Sequence, residues 1–592
     1  MPKTLPRGSA CLACRRKKMR CDAARPICSN CVKSGGLDCV YDDEPSQAVR
    51  RATKLRAYEE RIRELESELE RVKLDSSDKA DSIAVSSAPS TSANPLNITA
   101  STWPKDFPPK DMAQFLIQTF YSCAPFAAND LLRQSFESRL MHLPSSSPKF
   151  PCSALCHAVF ATAYLHLPNK EPQERHIALA LQKLNEEDNS QGLMFILERI
   201  HAAILISQHM FAINNKGDLF LPVDFAARGC IAFLLNHEVE YPRKWFLKPP
   251  ESDLEAEQRK RLFFKAYLMD QLFTIETGIN PPIIQEEHIF TDLPCPNTVF
   301  KRSNFTSTIP RSNEFVYSPN FFTEHPGDGF SLLIKAVVLM GRVNSFLLRC
   351  FYYTRALSLS SGSELTMFAE LDNLIQRFRQ TFPLEFSDPV RIADDGGIDI
   401  DNLLAHLMSA HCMMNLHSQW SNETLSQSRL LFYARVTVNS LYKLRATSYD
   451  LSRLPPFCLT TYKTAAFILI SAFTEAMKLL DYESASTIES EVLTIADCFK
   501  TMSPSIPYAV ECLSKLESEA TKAGISLTTQ SSSLPAIAPA AASSLAEWFS
   551  PDFGPGIPDM GGLDEYGLLS GASFTTSDEM RWMLDNDLFK GV

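Results

Sequence analysis

Between residues 11 and 39 the chain reads CLACRRKKMRCDAARPICSNCVKSGGLDC, and its six cysteines fall as Cys11-x2-Cys14-x6-Cys21-x6-Cys28-x2-Cys31-x7-Cys39. One C-x2-C-x6/7-C unit is therefore written twice. Two C-x2-C steps this close together hold thiolates at the spacing of a tetrahedral zinc site. One zinc would leave two sulfurs over, whereas two zincs need eight donor positions from six sulfurs, so two sulfurs must bridge. Two Zn²⁺ against six thiolates carry a formal charge of about −2, which nearby cations offset. Those cations are unevenly placed. Arg15, Arg16, Lys17, Lys18 and Arg20 stand between Cys14 and Cys21, but the gap between Cys31 and Cys39 has only Lys33, set against Asp38. The first half suits phosphate and base edges; the second suits a structural role.

Disulfides are the competing use of six cysteines. The opening MPKTLPRGSA has no apolar run, so no secretory route is expected. A basic run by itself also fits a solvated face or a nuclear-import tag. Inside a metal-ligand frame it reads as a DNA contact that can serve import too.

The stretch resembles the fungal Zn(2)-C6 binuclear zinc cluster family of DNA-binding transcription regulators. It meets that family's C-x2-C-R-x-K-K-x-R/K-C pattern, then a proline ahead of the fourth cysteine (Pro26), then C-x2-C and a last cysteine. The resemblance implies that Cys11, Cys14, Cys21, Cys28, Cys31 and Cys39 hold two Zn²⁺ ions, with Cys11 and Cys28 bridging. It further implies that Lys17 and Lys18, at the end of a short helix, read a CGG-like triplet of double-stranded DNA. A lysine can donate to guanine O6 and N7 in the major groove. Arg15, Arg16 and Arg20 are then mainly phosphate contacts that position the module.

The remainder of the 592 residues is different material. Net charge is −11, yet residues 1–41 hold nine Lys/Arg and two Asp, so a +7 head sits on a −18 body. The ten other cysteines form no C-x2-C pair, which fits reduced thiols in nucleus or cytosol. No run of about eighteen apolar residues appears, so no membrane span is expected.

After a linker with Pro45, the apolar period becomes seven. Leu55, Ile62 and Leu69 alternate with Tyr58, Leu65 and Val72, the a/d seam of a short coiled coil. In a parallel pair the g and e positions bring Lys54 to Glu59, Arg61 to Glu66 and Glu68 to Lys73, all opposite in sign. A single amphipathic helix on the body would not require such matching, so a homodimer is expected.

The expected fold class is mainly α. Residues 1–45 form the zinc cluster DNA-binding domain, 46–74 the linker and dimerisation coiled coil, and 75–104 a disordered Ser/Ala/Pro tether. Residues 105–525 form a large all-α regulatory domain. Helices are expected over Asp111–Tyr121, Leu193–Phe211, Ala226–His237, Leu254–Gly278, Phe330–Tyr353, Glu364–Thr381, Leu403–Trp420, Ser426–Ser448, Thr460–Leu480 and Tyr508–Ala523, with 193–211 buried nearly all round. FPPKDMAQFLIQTFY (107–121), ARGCIAFLLNHE (227–238) and RKRLFFKAYLMDQLFTIETGINPPIIQEEHIFTDLPCP (259–296) resemble the middle region that accompanies this zinc cluster in fungal regulators. Phe264 stands where Trp is usual there, and Asn280 where Arg is usual. The resemblance implies a small-molecule effector, although no residue identifies a ligand.

An enzyme is not expected: G-x-S-x-G, glycine-rich phosphate loops and H-E-x-x-H are all missing. His406, His411 and His417 cannot gather on one metal, because 406 and 417 are roughly 16 Å apart along a helix and 411 faces elsewhere. Cys152, Cys156 and His157 read as packing within a buried helix.

Residues 526–592 are expected to be a disordered acidic and aromatic tail. From 545 onward nine Asp/Glu mingle with aromatic and aliphatic residues, the composition of an activation segment that offers its rings to coactivators. DEMRWMLDNDLF (578–589) is the candidate motif, with Trp582, Leu588 and Phe589 as anchors. The resulting expectation is a nuclear, zinc-dependent regulator of RNA polymerase II genes, an activator; the alternative is a DNA-binding repressor with a metabolite-responsive domain.

Overall fold

The computed structural model describes residues 10–11, 13–14, 17–24, 27–33, 39, 103–186, 195–237, 247–277, 281–302, 309–357, 362–393 and 396–527. The dimerisation seam Leu55–Val72 and the activation anchors Trp582, Leu588 and Phe589 lie outside these, as do Arg15, Arg16 and Asn280. The chain divides into two units, Met1–Ile98 and Thr99–Val592. Among the described residues regular structure is helical, apart from isolated bridges joining His237 to Phe290 and Ile392 to Ile398, so the mainly-α expectation holds.

Among the described residues, the first unit carries the short helix α1 (Ser29–Lys33). The second carries α2 (Lys110–Cys123), α3 (Pro125–Ala128), α4 (Arg133–His142), α5 (Ser153–Tyr164), α6 (Glu171–Asn185), α7 (Ile196–Ala212), α8 (Lys216–Ala232) and α9 (Asp253–Thr277). These are followed by α10 (Asn297–Arg302), α11 (Gly329–Leu357), α12 (Gly362–Gln380), α13 (Ile400–Ser418), α14 (Thr424–Arg445), α15 (Cys458–Lys478), α16 (Tyr482–Met502) and α17 (Pro507–Ala523).

Two helices organise the body. α7 is buried at every position from Ile200 to Ala212 and packs on α5, α8 and α9. α13, buried from Ile400 through Met414, is enclosed by α11, α12, α14 and α15. Contact between α9 and α11 joins the two sets, and one continuous apolar core runs through both. α11 includes a 22-residue stretch, Gly329–Cys350, apolar and long enough to cross a membrane by length and composition. Here it is mostly buried, packed on α13 inside the core.

The helix expected over Ala226–His237 begins earlier, at Lys216, and stops at Ala232. Pro222 lies inside α8 and hides its continuity in the sequence, since proline removes a ladder hydrogen bond. Its end is set by Leu234 in the left-handed region (φ 57°), with Leu235 N–H donating to Cys230 O (2.9 Å). A Cβ added to Gly229 would meet Ile200 Cγ1 at 3.1 Å, so glycine allows α8 to lie close on α7. Helices α3, α4, α6, α10 and α16 were not among the expected spans. α4 buries only Phe136 and Leu140, and the buried face of α6 includes Gln173 and His176, so neither shows a clean apolar stripe.

Candidate zinc centre and DNA-facing turn

The cluster folds around sulfur. Cys11, Cys14, Cys28 and Cys31 are buried, and Cys21 and Cys39 flank them half-buried. Sγ–Sγ separations across the two halves are 3.8 Å for Cys11 and Cys28, 3.7 Å for Cys11 and Cys31, 3.7 Å for Cys14 and Cys28, and 3.9 Å for Cys14 and Cys31. Zinc–sulfur bonds of about 2.3 Å in a tetrahedron require sulfur edges of about 3.8 Å. The donor set therefore fits zinc in spacing as well as in kind. Cys21 closes on Cys28, and Cys39 Sγ accepts the Cys28 N–H at 3.3 Å, so all six thiols belong to one cluster with capacity for two ions.

Crowding of the thiols explains why a cation belongs there. Burial pushes the Cys14 thiol up to about 12, while the Cys14 N–H, donating to Cys11 Sγ at 3.4 Å, holds Cys11 below its ordinary value. Zinc supplies positive charge that lets all the sulfurs ionise together.

The halves repeat in backbone as they do in spacing. Cys14 N–H meets Cys11 Sγ and Cys31 N–H meets Cys28 Sγ, both at 3.4 Å. After the first pair, Met19 N–H donates to Cys14 O (2.9 Å) with Lys18 left-handed at φ 50°, a helix-ending turn. That turn leaves Lys17, Lys18 and Arg20 exposed beside the sulfurs. Asp22 was not foreseen. Its carboxylate accepts the Ser29 N–H (3.1 Å) and the Ser29 hydroxyl, capping α1, and the Ser29 hydroxyl bond holds its pKa below the usual value. Asn30 Nδ2 donates to Arg20 O (2.6 Å), fastening the cationic segment to α1. Ser or Asp near a helix start was the signal available for Asp22, but its target lies seven residues away.

In the body, the three histidines of α13 go to separate partners. His406 Nε2 donates to Phe386 O (2.8 Å), Asn415 donates to His411 Nε2 (3.0 Å), and His417 meets Ser426 Oγ (3.0 Å) and Asp372 Oδ1 (3.1 Å). They do not converge. His157 is more than packing, for its Nε2 contacts Asp106 Oδ2 (3.2 Å) and its Nδ1 contacts His176 Nδ1 (3.0 Å).

Clustered thiols stand beside a cationic turn in the first unit, and the second unit is a helical body. Residues 9–48 match the fungal Zn(2)-Cys(6) binuclear cluster domain and residues 142–380 the fungal specific transcription factor domain, so the chain carries both domains. Both domains are those of transcription regulators, not of enzymes. Among curated proteins, the chain is 27% identical over 339 residues to the citrinin biosynthesis transcriptional activator mrl3 of Monascus ruber, covering 50% of this chain and 64% of the relative. It is 26% identical to the notoamide biosynthesis cluster transcriptional coactivator notQ' of Aspergillus versicolor, covering 54% and 63%. Each match thus spans less than two thirds of the relative. A 40-residue stretch is 50% identical to the chromatin structure-remodeling complex protein RSC3 of Saccharomyces cerevisiae, covering 7% of this chain and 4% of the relative. No solved structure matches.

Proposed function

We propose that the chain is a zinc-dependent, sequence-specific DNA-binding activator of RNA polymerase II transcription, working in the nucleus. One observation carries this reading: sulfurs spaced for zinc are followed at once by a backbone turn that holds Lys17, Lys18 and Arg20 outward. Lys17 and Lys18 read the CGG-like half-site, and Arg15, Arg16 and Arg20 hold phosphates. All six cysteines, Cys11, Cys14, Cys21, Cys28, Cys31 and Cys39, ligate two zincs. Cys11 and Cys28 bridge, in keeping with their complete burial and their sulfur contacts across the two halves.

Residues 1–45 are the DNA-binding domain, 46–74 pair two copies through Leu55, Tyr58, Ile62, Leu65, Leu69 and Val72, and 75–104 tether them to the regulatory body at 105–525. The 526–592 tail recruits coactivators through Trp582, Leu588 and Phe589. Activation rather than repression is supported by that acidic, aromatic composition and by what the citrinin and notoamide relatives are named for. Selection of bound sites from random duplex DNA by the zinc-loaded full chain should return paired CGG-like triplets. Failure to enrich any motif, or binding undiminished after zinc is chelated away, would rule the reading out.

A further inference from the structure

We propose that Asn30 and Asp22 are positioning residues for base readout: hydrogen bonds between the cationic segment and α1 set the aim of Lys17 and Lys18 at the base edges. The proposal deepens the DNA-binding reading and rests on it. Asn30 Nδ2 donates to Arg20 O (2.6 Å). The Asp22 carboxylate accepts the Ser29 N–H, at 3.1 and 3.3 Å from its two oxygens, and the Ser29 hydroxyl. Both ties cross from the first half of the cluster to the second, and both lie at its exposed surface rather than among the sulfurs.

Zinc alone does not fix this segment. In the proposed cluster, metal–sulfur bonds pin Cys14 and Cys21, but six residues lie between them and the reading lysines stand in the middle. Lys17 N–H donates to Ala13 O (3.1 Å) and Met19 N–H to Cys14 O (2.9 Å), which holds the near side of the Lys18 turn. The far side, Arg20 to Asp22, runs between two left-handed residues that are not glycine, Lys18 (φ 50°) and Ala23 (φ 55°). Such conformations persist where surrounding contacts over-determine them. The Asn30 and Asp22 bonds supply those contacts, and Ala23 N–H, donating to Cys21 Sγ at 3.4 Å, closes the run.

Base contacts and phosphate contacts differ in how much they depend on that aim. A hydrogen bond to a base edge needs its donor within about 2.7–3.2 Å and nearly in line. Attraction to a phosphate falls only with the inverse of distance. Loosening the far side of the turn therefore costs sequence discrimination and spares general affinity for the duplex. Asp22 points to the same division. A carboxylate two residues from Arg20 repels phosphate, so a surface built for charge alone would gain by losing it. What it contributes instead is its bonds to Ser29.

The zinc-loaded full chain is titrated at one salt concentration with a CGG-containing duplex, and with a duplex of equal length and base composition that lacks the triplet. Asn30→Ala should weaken binding to the first about fivefold and leave the second unchanged. Asp22→Ala and Asp22→Asn should both bind the second duplex about twofold more tightly, since each removes a negative charge. The ratio between the duplexes should fall about fivefold in Asp22→Ala alone, because asparagine keeps an oxygen for the Ser29 N–H. Zinc content should remain that of the wild type throughout. A residue that only stabilised the cluster would lower zinc content, or both affinities together. Wild-type protein that failed to discriminate the two duplexes would sink the DNA-binding reading and this proposal with it. If the wild type discriminates, an unchanged ratio in either alanine variant that keeps its zinc, or loss of zinc from both, would overturn the positioning role alone.

Discussion

Lys18 combines a charge and a backbone conformation in one residue. A non-glycine side chain in the left-handed region costs about 1 kcal/mol, and here it ends the first turn of the cluster so that the lysine pair faces outward. Lys18→Gly keeps that turn, indeed eases it, while removing the ammonium. We expect zinc content to stay at two per chain and affinity for a CGG-containing duplex to fall by about 1–3 kcal/mol, roughly 5- to 150-fold. Electrophoretic mobility shift at fixed salt measures this; unchanged affinity would show that Lys18 makes no base contact. At this scale the site was legible in the sequence because ligand spacing is local. Asp22 was not, since nothing in its neighbours indicates that its carboxylate reaches Ser29.

At the scale of elements, α9 departs furthest from a pattern reading. Glu257, Lys260, Arg261, Lys265 and Asp270 would pass for the wet face of an amphipathic helix, yet each is at most 7% exposed. Arg261 donates to Glu257 Oε1 (3.1 Å), Asn297 Oδ1 (2.7 Å), Asp130 Oδ1 (3.3 Å) and Cys295 O (2.5 Å). Lys265 meets Asp130 at 3.1 Å with its ammonium 3.3 Å from the Phe126 ring centroid. The RKRLFF segment that carries the family resemblance is thus an ionic fastener joining α9 to the loop before α4 and to the 295–297 segment. Removing one partner strands the others in a dry interior. Arg261→Met should cost about 3–5 kcal/mol in urea denaturation. A loss below about 1 kcal/mol would mean the network is wetter than its burial implies.

For the whole molecule, buried neutral histidines set the response to acid. Burial holds His201 and His411 at about 4, and His209 and His406 at about 3, against an ordinary 6.5. Because these folded-state values are depressed, the stability they contribute is present above pH 6.5 and is lost as pH falls towards 4. Each loses about 1.4 kcal/mol per pH unit in that window. Four together approach ~5 kcal/mol per unit, comparable with the whole stability of an ordinary domain. Asp270 runs the other way: burial lifts it to about 6, so acidification between pH 6 and 3.8 favours the fold by about 1.4 kcal/mol per unit. Four outweigh one. Helical circular dichroism should therefore collapse cooperatively between about pH 6 and 4, and a full signal at pH 3.5 would contradict this account.

What the sequence determined alone was chemistry of short reach: six sulfurs at metal spacing, a cationic run between two of them, and helices wherever an apolar stripe kept its period. Tertiary structure decided which charges lie inside and what they pair with. Arg261 and Asp130, 131 residues apart, are one contact in the fold and two unrelated charges in the text. A charged or amide side chain on a helix is written alike whether water or a distant partner satisfies it, and only the packed core makes the difference.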